Sequence, residues 1–167
     1  MDYFLLKQLG NISIPKPENA NQDEPSIRIM QDISLLEKFD YLAVEALVSD
    51  RMKLLLEQFL LDLEWQPCAF IDPSKKKQII FWYLPPLPYL PEQITFAPNG
   101  TPHSIQIKKE DFCKKSPGIF RIPHPKGTPF VVVHLSVAES ILRRGFCGLE
   151  LVRLFSQIPR CKQRGMT

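Results

Sequence analysis

The clearest periodicity in the chain lies at residues 50–61, where Met52, Leu55, Leu56, Phe59 and Leu60 recur at i, i+3, i+4, i+7 and i+8. Lys53, Glu57 and Gln58 fall off that stripe. The spacing predicts an amphipathic helix over 50–61 with one face in the core. Ser49 precedes it as an N-cap whose hydroxyl can accept from a free N–H of the first turn, and Asp50 suits the positive end of the helix dipole. A second helix is predicted in the C-terminal third. There the β-branched run Phe130, Val131, Val132, Val133, His134 and Leu135 reads as a buried strand. Ser136 and Glu139 match the capping-box pattern, the helix runs to Arg144, and Gly145 stands where a left-handed C-cap belongs.

The remaining apolar runs are shorter and predict strands. Residues 2–6 form a first strand, followed at 11–26 by a polar, proline-punctuated stretch that reads as an exposed loop. Residues 39–48 fit a strand or a short helix, because Ala and Glu dilute their β character. Residues 65–71 and 78–84 are strands joined through the turn chemistry of Asp72, Pro73, Ser74 and Lys75, which makes a hairpin, with Pro67 pointing to an edge or a bulge. Residues 85–91, with four prolines in seven positions, are an extended crossing segment. Two further short strands, 94–96 and 104–108, flank the Asn99-Gly100 turn. Another lies at 119–122, and 148–154 is a closing strand.

Residues 44–65 and 131–151 share one plan: an apolar run, a serine cap, an amphipathic helix and a strand containing Leu-Glu. The chain therefore reads as a single α+β domain over 1–158, with a mixed or mainly antiparallel sheet, two or three helices and two copies of a strand-helix-strand unit. If both capped helices pack on the same sheet, that sheet is mixed or largely antiparallel. Residues 159–167 form a flexible basic tail.

Composition narrows the class without naming a function. The 167 residues are 44% apolar and 23% charged, which suits one globular domain and excludes disorder, collagen and coiled coil. Sixteen prolines against seven glycines reverse the ordinary ratio and imply kinked, extended connections. Net charge is only +3, yet residues 31–72 hold nine carboxylates against Lys38, Arg51 and Lys53, whereas residues 73–167 hold fifteen bases against five acids. Two faces of opposite sign, or pairing between the segments, both fit that asymmetry. The apolar patch at the start is too short for a signal peptide, and no run approaches a membrane span, so a cytoplasmic address is expected.

Catalytic and cofactor signatures are missing. No G-x-G-x-x-G, P-loop, G-x-S-x-G, H-E-x-x-H or EF-hand pattern occurs. Cys68, Cys113, Cys147 and Cys161 have no C-x-x-C spacing and no histidine beside them, so reduced structural thiols are expected rather than a zinc site. His103 and His124 fall in turns, and His134 with Ser136 lacks the spacing of a catalytic pair. No catalytic residue, cofactor or metal ligand is expected, and the protein is read as a non-enzyme.

The two serine-capped segments, Val48-Ser49-Asp50-Arg51-Met52 and Val133-His134-Leu135-Ser136-Val137-Ala138-Glu139, carry a resemblance, together with Gly145-Phe146-Cys147-Gly148-Leu149-Glu150-Leu151. They are similar to a family of bacterial immunity proteins of the Imm-eleven type. The likeness spans about residues 41–155 and departs at residues 85–91, where the family carries an aspartate and a serine. It implies an antitoxin encoded beside a polymorphic toxin of contact-dependent or type VI secretion systems, which serves bacterial competition by binding that toxin domain without chemistry of its own. No functional residues transfer with the likeness. Interface physics supplies candidates instead: the aromatics Trp82, Tyr83 and Tyr89, and the off-stripe acids Glu57, Asp62 and Glu64, which suit a basic partner. The competing reading is a nucleic-acid-binding module that uses the basic C-terminal half, with Phe81, Trp82 and Tyr83 as stacking platforms.

Overall fold

Eleven strands and two helices are traced in a computed structural model that describes residues 2–18, 25–88, 93–106, 118–125 and 127–157. The first sheet contains β2 (Ser26–Ile29), β3 (Tyr41–Leu42), β4 (Leu47–Ser49), β5 (Gln66–Asp72) and β6 (Lys77–Tyr83), in the order β2-β5-β6-β4-β3. The second contains β1 (Tyr3–Gln8), β7 (Gln93–Phe96), β8 (Pro102–Gln106), β9 (Ile119–Ile122), β10 (Phe130–His134) and β11 (Leu149–Gln157), in the order β7-β8-β11-β1-β10-β9. Helices α1 (Asp50–Leu56) and α2 (Leu135–Arg143) follow β4 and β10. This is a single α+β domain with two mixed sheets.

The expected repeat is present and deeper than its sequence trace. In the first sheet β2 runs parallel to β5, while β5–β6, β6–β4 and β4–β3 are antiparallel. In the second, β8 runs parallel to β11, while β11–β1, β1–β10 and β10–β9 are antiparallel. Five strands of one sheet thus correspond to five of the other, and each unit sends its helix out after the fourth strand of the order. One strand is out of sequence. The place that β6 takes in the first unit is taken in the second by β1, from the opposite end of the chain.

The two helices do not share one sheet: α1 belongs to the first sheet's unit and α2 to the second's, and they meet each other. Met52, Leu55 and Leu56 of α1 bury against the same core as Val137, Ala138 and Ile141 of α2, with Val48, Val131 and Val133 from the strands. A second core lies around Tyr3, Leu5, Phe120 and Val132, and a third around Leu36, Phe70 and Phe81.

Several local expectations are corrected. The first helix is regular only to Leu56; the chain then turns through Phe59 and Leu60, both still packed on the core, and reaches a left-handed Asp62 at φ 60°. The stripe is fulfilled by a helix plus a turn rather than by a helix of twelve residues. Residues 39–48 contain both alternatives: a two-residue strand, a short 3-10 turn at Ala43–Glu45, a left-handed Ala46, then β4. Pro67 lies on an interior strand, tolerated because the parallel pairing of β5 with β2 starts only at Cys68. The loop after β1 is not simply exposed, since Ile12 and Ile14 pack on the third core. The crossing segment buries Leu84, Pro85 and Leu87, and the Pro88 carbonyl accepts from Arg121 N–H on β9 at 2.9 Å. Cys68 is a buried free thiol and Cys147 an exposed one; Cys113, Cys161, Tyr89 and the tail at 159–167 lie outside the described residues.

The second helix is capped by His134, not by Ser136. The helix begins at Leu135, and His134 Nδ1 accepts from Ser136 N–H at 3.3 Å, leaving Ser136 inside the first turn. Burial holds this imidazole below its ordinary value of 6.5, with Asp2 opposing the shift. The unfolded chain therefore takes up the proton more readily, so stability is complete above about pH 6.5 and falls as pH drops through that value toward the lower folded one. Urea midpoints at successive pH values from neutral to mildly acidic are expected to decline. His134→Asn, which keeps a capping acceptor that does not ionise, is expected to flatten that part of the decline.

Candidate functional site

Asp40 organises the surface at the start of α1. Its carboxylate is only 5% exposed and accepts three hydrogen bonds: from Ser49 Oγ at 2.5 Å, from Arg51 at 2.8 Å and from the backbone N–H of Cys147 at 2.6 Å. Ser49 is thus used twice, since its Oγ also caps α1 by accepting from Met52 N–H at 3.2 Å. The Cys147 contact, with Asp40 N–H donating to the Cys147 carbonyl at 2.8 Å, ties the first repeat unit to the turn after α2 of the second. Hydrogen bonding to Asp40, and its charge, push the Arg51 guanidinium further toward its charged form. That cation stands largely in solvent, with its head 5.2 Å from the Phe146 ring.

Beside Asp40 runs a groove of about 500 Å³ whose lining includes Glu37, Phe39, Asp50, Arg51, Ile80 and Trp82. Trp82 reaches it from β6, where it pairs across from Val48. Its indole N–H donates to Asp50 Oδ1 at 3.0 Å, and Lys53 Nζ lies 4.3 Å from the ring centroid. Lys53 is also ion-paired with Glu57, one helical turn on, and lies 5.9 Å from the Trp65 ring. The result is a ladder of alternating character, Asp50–Trp82–Lys53–Glu57, along one side of α1. Such an arrangement holds a half-buried indole in place between Asp50 and Lys53, with the Asp50 and Glu57 carboxylates beside it.

The structure brings together one residue from each of the two predicted patches and divides the aromatic one. Glu57 and Trp82 come together through Lys53. Asp62 and Glu64 are exposed on the turn that follows α1, flanked by exposed Leu61 and Leu63. Trp82 and Tyr83, adjacent in sequence, pack on different cores because successive strand residues point to opposite faces. The Tyr83 hydroxyl accepts from buried Arg28 at 2.7 Å, so its polar end faces the interior network. Phe81 is buried edge-on to Phe70 at 5.7 Å, which removes it as an open stacking surface. At the hairpin tip, Lys75 pairs with Asp32 at 2.6 Å, and Asp72 accepts from Ser74 and Lys75, so Lys75 serves the turn.

Asp40, Glu37, Arg51 and Lys53 were not singled out by the sequence. Asp40 does carry a signal: one acid at the start of a long apolar run, nine residues before a serine cap. Glu37 carries none. His103 lies on β8 rather than in a turn, its ring tilted against Phe155 with centroids 5.1 Å apart, and His124 is tilted against Phe130 at 4.8 Å. Among the described residues no three His, Cys, Asp or Glu side chains gather as metal ligands, and no helix is long and apolar enough to cross a membrane. Comparison with family models, with curated proteins and with solved structures returns no match.

Proposed function

We propose that the protein is an immunity-type inhibitor, which binds a bacterial toxin domain through the α1 side of the molecule and neutralises it by occlusion, without catalysis. The observation that carries this reading is the groove that Trp82 lines together with Glu37, Asp50 and Arg51, with the Lys53–Glu57 pair beside the indole. A half-buried tryptophan fixed by a hydrogen bond and rimmed with carboxylates is the composition of a protein-binding hot spot for a basic partner. The resemblance of the capped segments to immunity proteins gives the partner its class. A nuclease, whose substrate-binding face is basic, fits that charge.

The test is capture from cells that carry the neighbouring genes, using the tagged protein and mass spectrometry of what survives a high-salt wash. One stoichiometric partner encoded by an adjacent toxin gene is expected. Glu37→Arg, a charge reversal at an exposed position, is expected to weaken that capture by about tenfold or more without lowering stability. Recovery of nucleic acid in place of a protein overturns the reading, as does capture of a partner that is indifferent to Glu37→Arg and Trp82→Ala alike.

A further inference from the structure

Strand β6 is paired on both edges for only part of its length. On one side all of Lys77–Tyr83 pairs with β5. On the other, β4 pairs with Phe81, Trp82 and Tyr83 and then ends, because the chain turns into α1 at Asp50. Residues Lys77–Ile80, a run of about 10 Å, have no strand opposite them on that side among the described residues. The direction of their main-chain groups follows from a bond at the paired end, where Leu84 N–H donates to the Ala46 carbonyl, on the β4 side, at 3.0 Å. Hydrogen-bonding direction alternates along an antiparallel strand, so Trp82, Ile80 and Gln78 turn their N–H groups the same way. Those of Ile80 and Gln78 face the unpaired side.

That open edge belongs to the groove beside Asp40. The lining takes Gln78–Trp82 from β6 and Ser49–Arg51 from where β4 gives way to α1, and no described residue of β5. It draws on both faces of the strand, since Ile79 and Phe81 pack with the third core and Trp82 with the first. The groove therefore straddles the edge of β6, where a longer β4 would run. An open strand edge is completed by another extended chain. The same edge of a second copy does not qualify, because it is recessed in its own groove. Charge gives the occupant its chemistry: Arg51 is held by Asp40, which leaves Glu37 and Asp50, both exposed, as the acids of the lining. We propose that an extended, basic segment of the partner protein adds to β6 as a strand, accepting from the N–H groups of Gln78 and Ile80 and setting lysine or arginine side chains beside Glu37 and Asp50. The proposal deepens the inhibitor reading, and rests on it in that the same groove seats the partner.

Amide hydrogen exchange of the full chain, read residue by residue by NMR, is the test, with a blocked hexapeptide of alternating arginine and valine as the probe. At about 1 mM peptide, exchange at Gln78 and Ile80 is expected to slow about tenfold, which corresponds to a dissociation constant of about 100 µM. Exchange at Ile79 and Phe81, already paired with β5, is expected to stay as it is. Gln78→Pro removes an N–H on the unpaired side, so it is expected to keep the melting temperature while abolishing both the protection of Ile80 and the capture of the partner. No protection in the unaltered chain, equal protection by a peptide with glutamate in place of arginine, or protection of Ile80 that survives Gln78→Pro overturns the proposal. Capture that is lost in Glu37→Arg but kept in Gln78→Pro overturns strand addition and leaves the inhibitor reading standing. Peptide protection with no toxin captured from cells overturns the inhibitor reading alone.

Discussion

Glu45→Ala is expected to lower stability by about 2–4 kcal/mol, a loss of core-mutation size from a residue on a short surface turn. The reason lies across from it. Arg28 is 1% exposed, and its guanidinium is held by both oxygens of Glu45, by the Tyr83 hydroxyl at 2.7 Å and by the Pro15 carbonyl at 2.9 Å, 5.8 Å from the Phe70 ring. Burial works against its charge, and the hydrogen bonds to Glu45 and Tyr83 more than offset that, so its pKa lies above the ordinary arginine value. Removing Glu45 leaves a buried cation with neutral acceptors only. Because the Glu45 side chain is 37% exposed, water relieves part of the penalty, which keeps the figure below that of a fully buried pair. The double variant Glu45→Ala/Arg28→Met is expected to be more stable than Glu45→Ala alone, since the stranded charge is gone. Urea denaturation with an unchanged m-value reads both. A loss below about 1 kcal/mol for Glu45→Ala would place the pair with ordinary surface salt bridges and sink the argument.

Gly148→Ala is expected to cost about 3 kcal/mol or more, against about 1 kcal/mol for Gly145→Ala, three positions earlier. Both glycines are left-handed, at φ 68° and 61°, so both variants carry the same backbone strain. They differ in their surroundings. A Cβ on Gly148 would stand 2.5 Å from the Lys38 carbonyl oxygen and 2.9 Å from the Phe39 Cα, whereas one on Gly145 meets nothing within 4 Å. Lys38 and Phe39 precede the Asp40 that grips the Cys147 N–H, so the clash falls on the seam between the two repeat units. Thermal melts of the two variants side by side isolate the contact from the strain. Equal losses would mean that the seam moves apart without resistance.

Much of the fold was legible because its elements advertise themselves locally. The Met52–Leu55–Leu56 spacing, the Ser49 cap and the valine run at 131–133 each rest on one stretch of chain and one mechanism. The α+β class and the repeat followed from them. What stayed hidden depends on distant partners. Nothing near Tyr3 announces that β1 completes a sheet with strands from the far end. Nothing near Ser136 says that a histidine two residues earlier will take the cap, since the two groups compete for the same N–H and the chain path decides. The same holds for the site. Trp82 and Glu57 were identifiable as residue types, but Lys53, which links them, reads in sequence as an ordinary solvated position. Tyr83 was grouped with Trp82 although strand alternation sets them on opposite faces, and its partner Arg28 is 55 residues away.

The placement of β1 bears on how the protein is made. Its register pairs Tyr3 with His134 on one side and with Leu154 on the other. At about 5–20 residues per second, a ribosome needs on the order of ten seconds between releasing β1 and releasing either neighbour. All five strands of the first sheet fall within residues 26–83 and close from contiguous chain in the meantime. Throughout that interval Tyr3, Leu5 and Leu6 form a nascent apolar segment with both edges open, the state in which strands recruit wrong partners. The second sheet therefore cannot close around β1 until the C-terminal half has been translated.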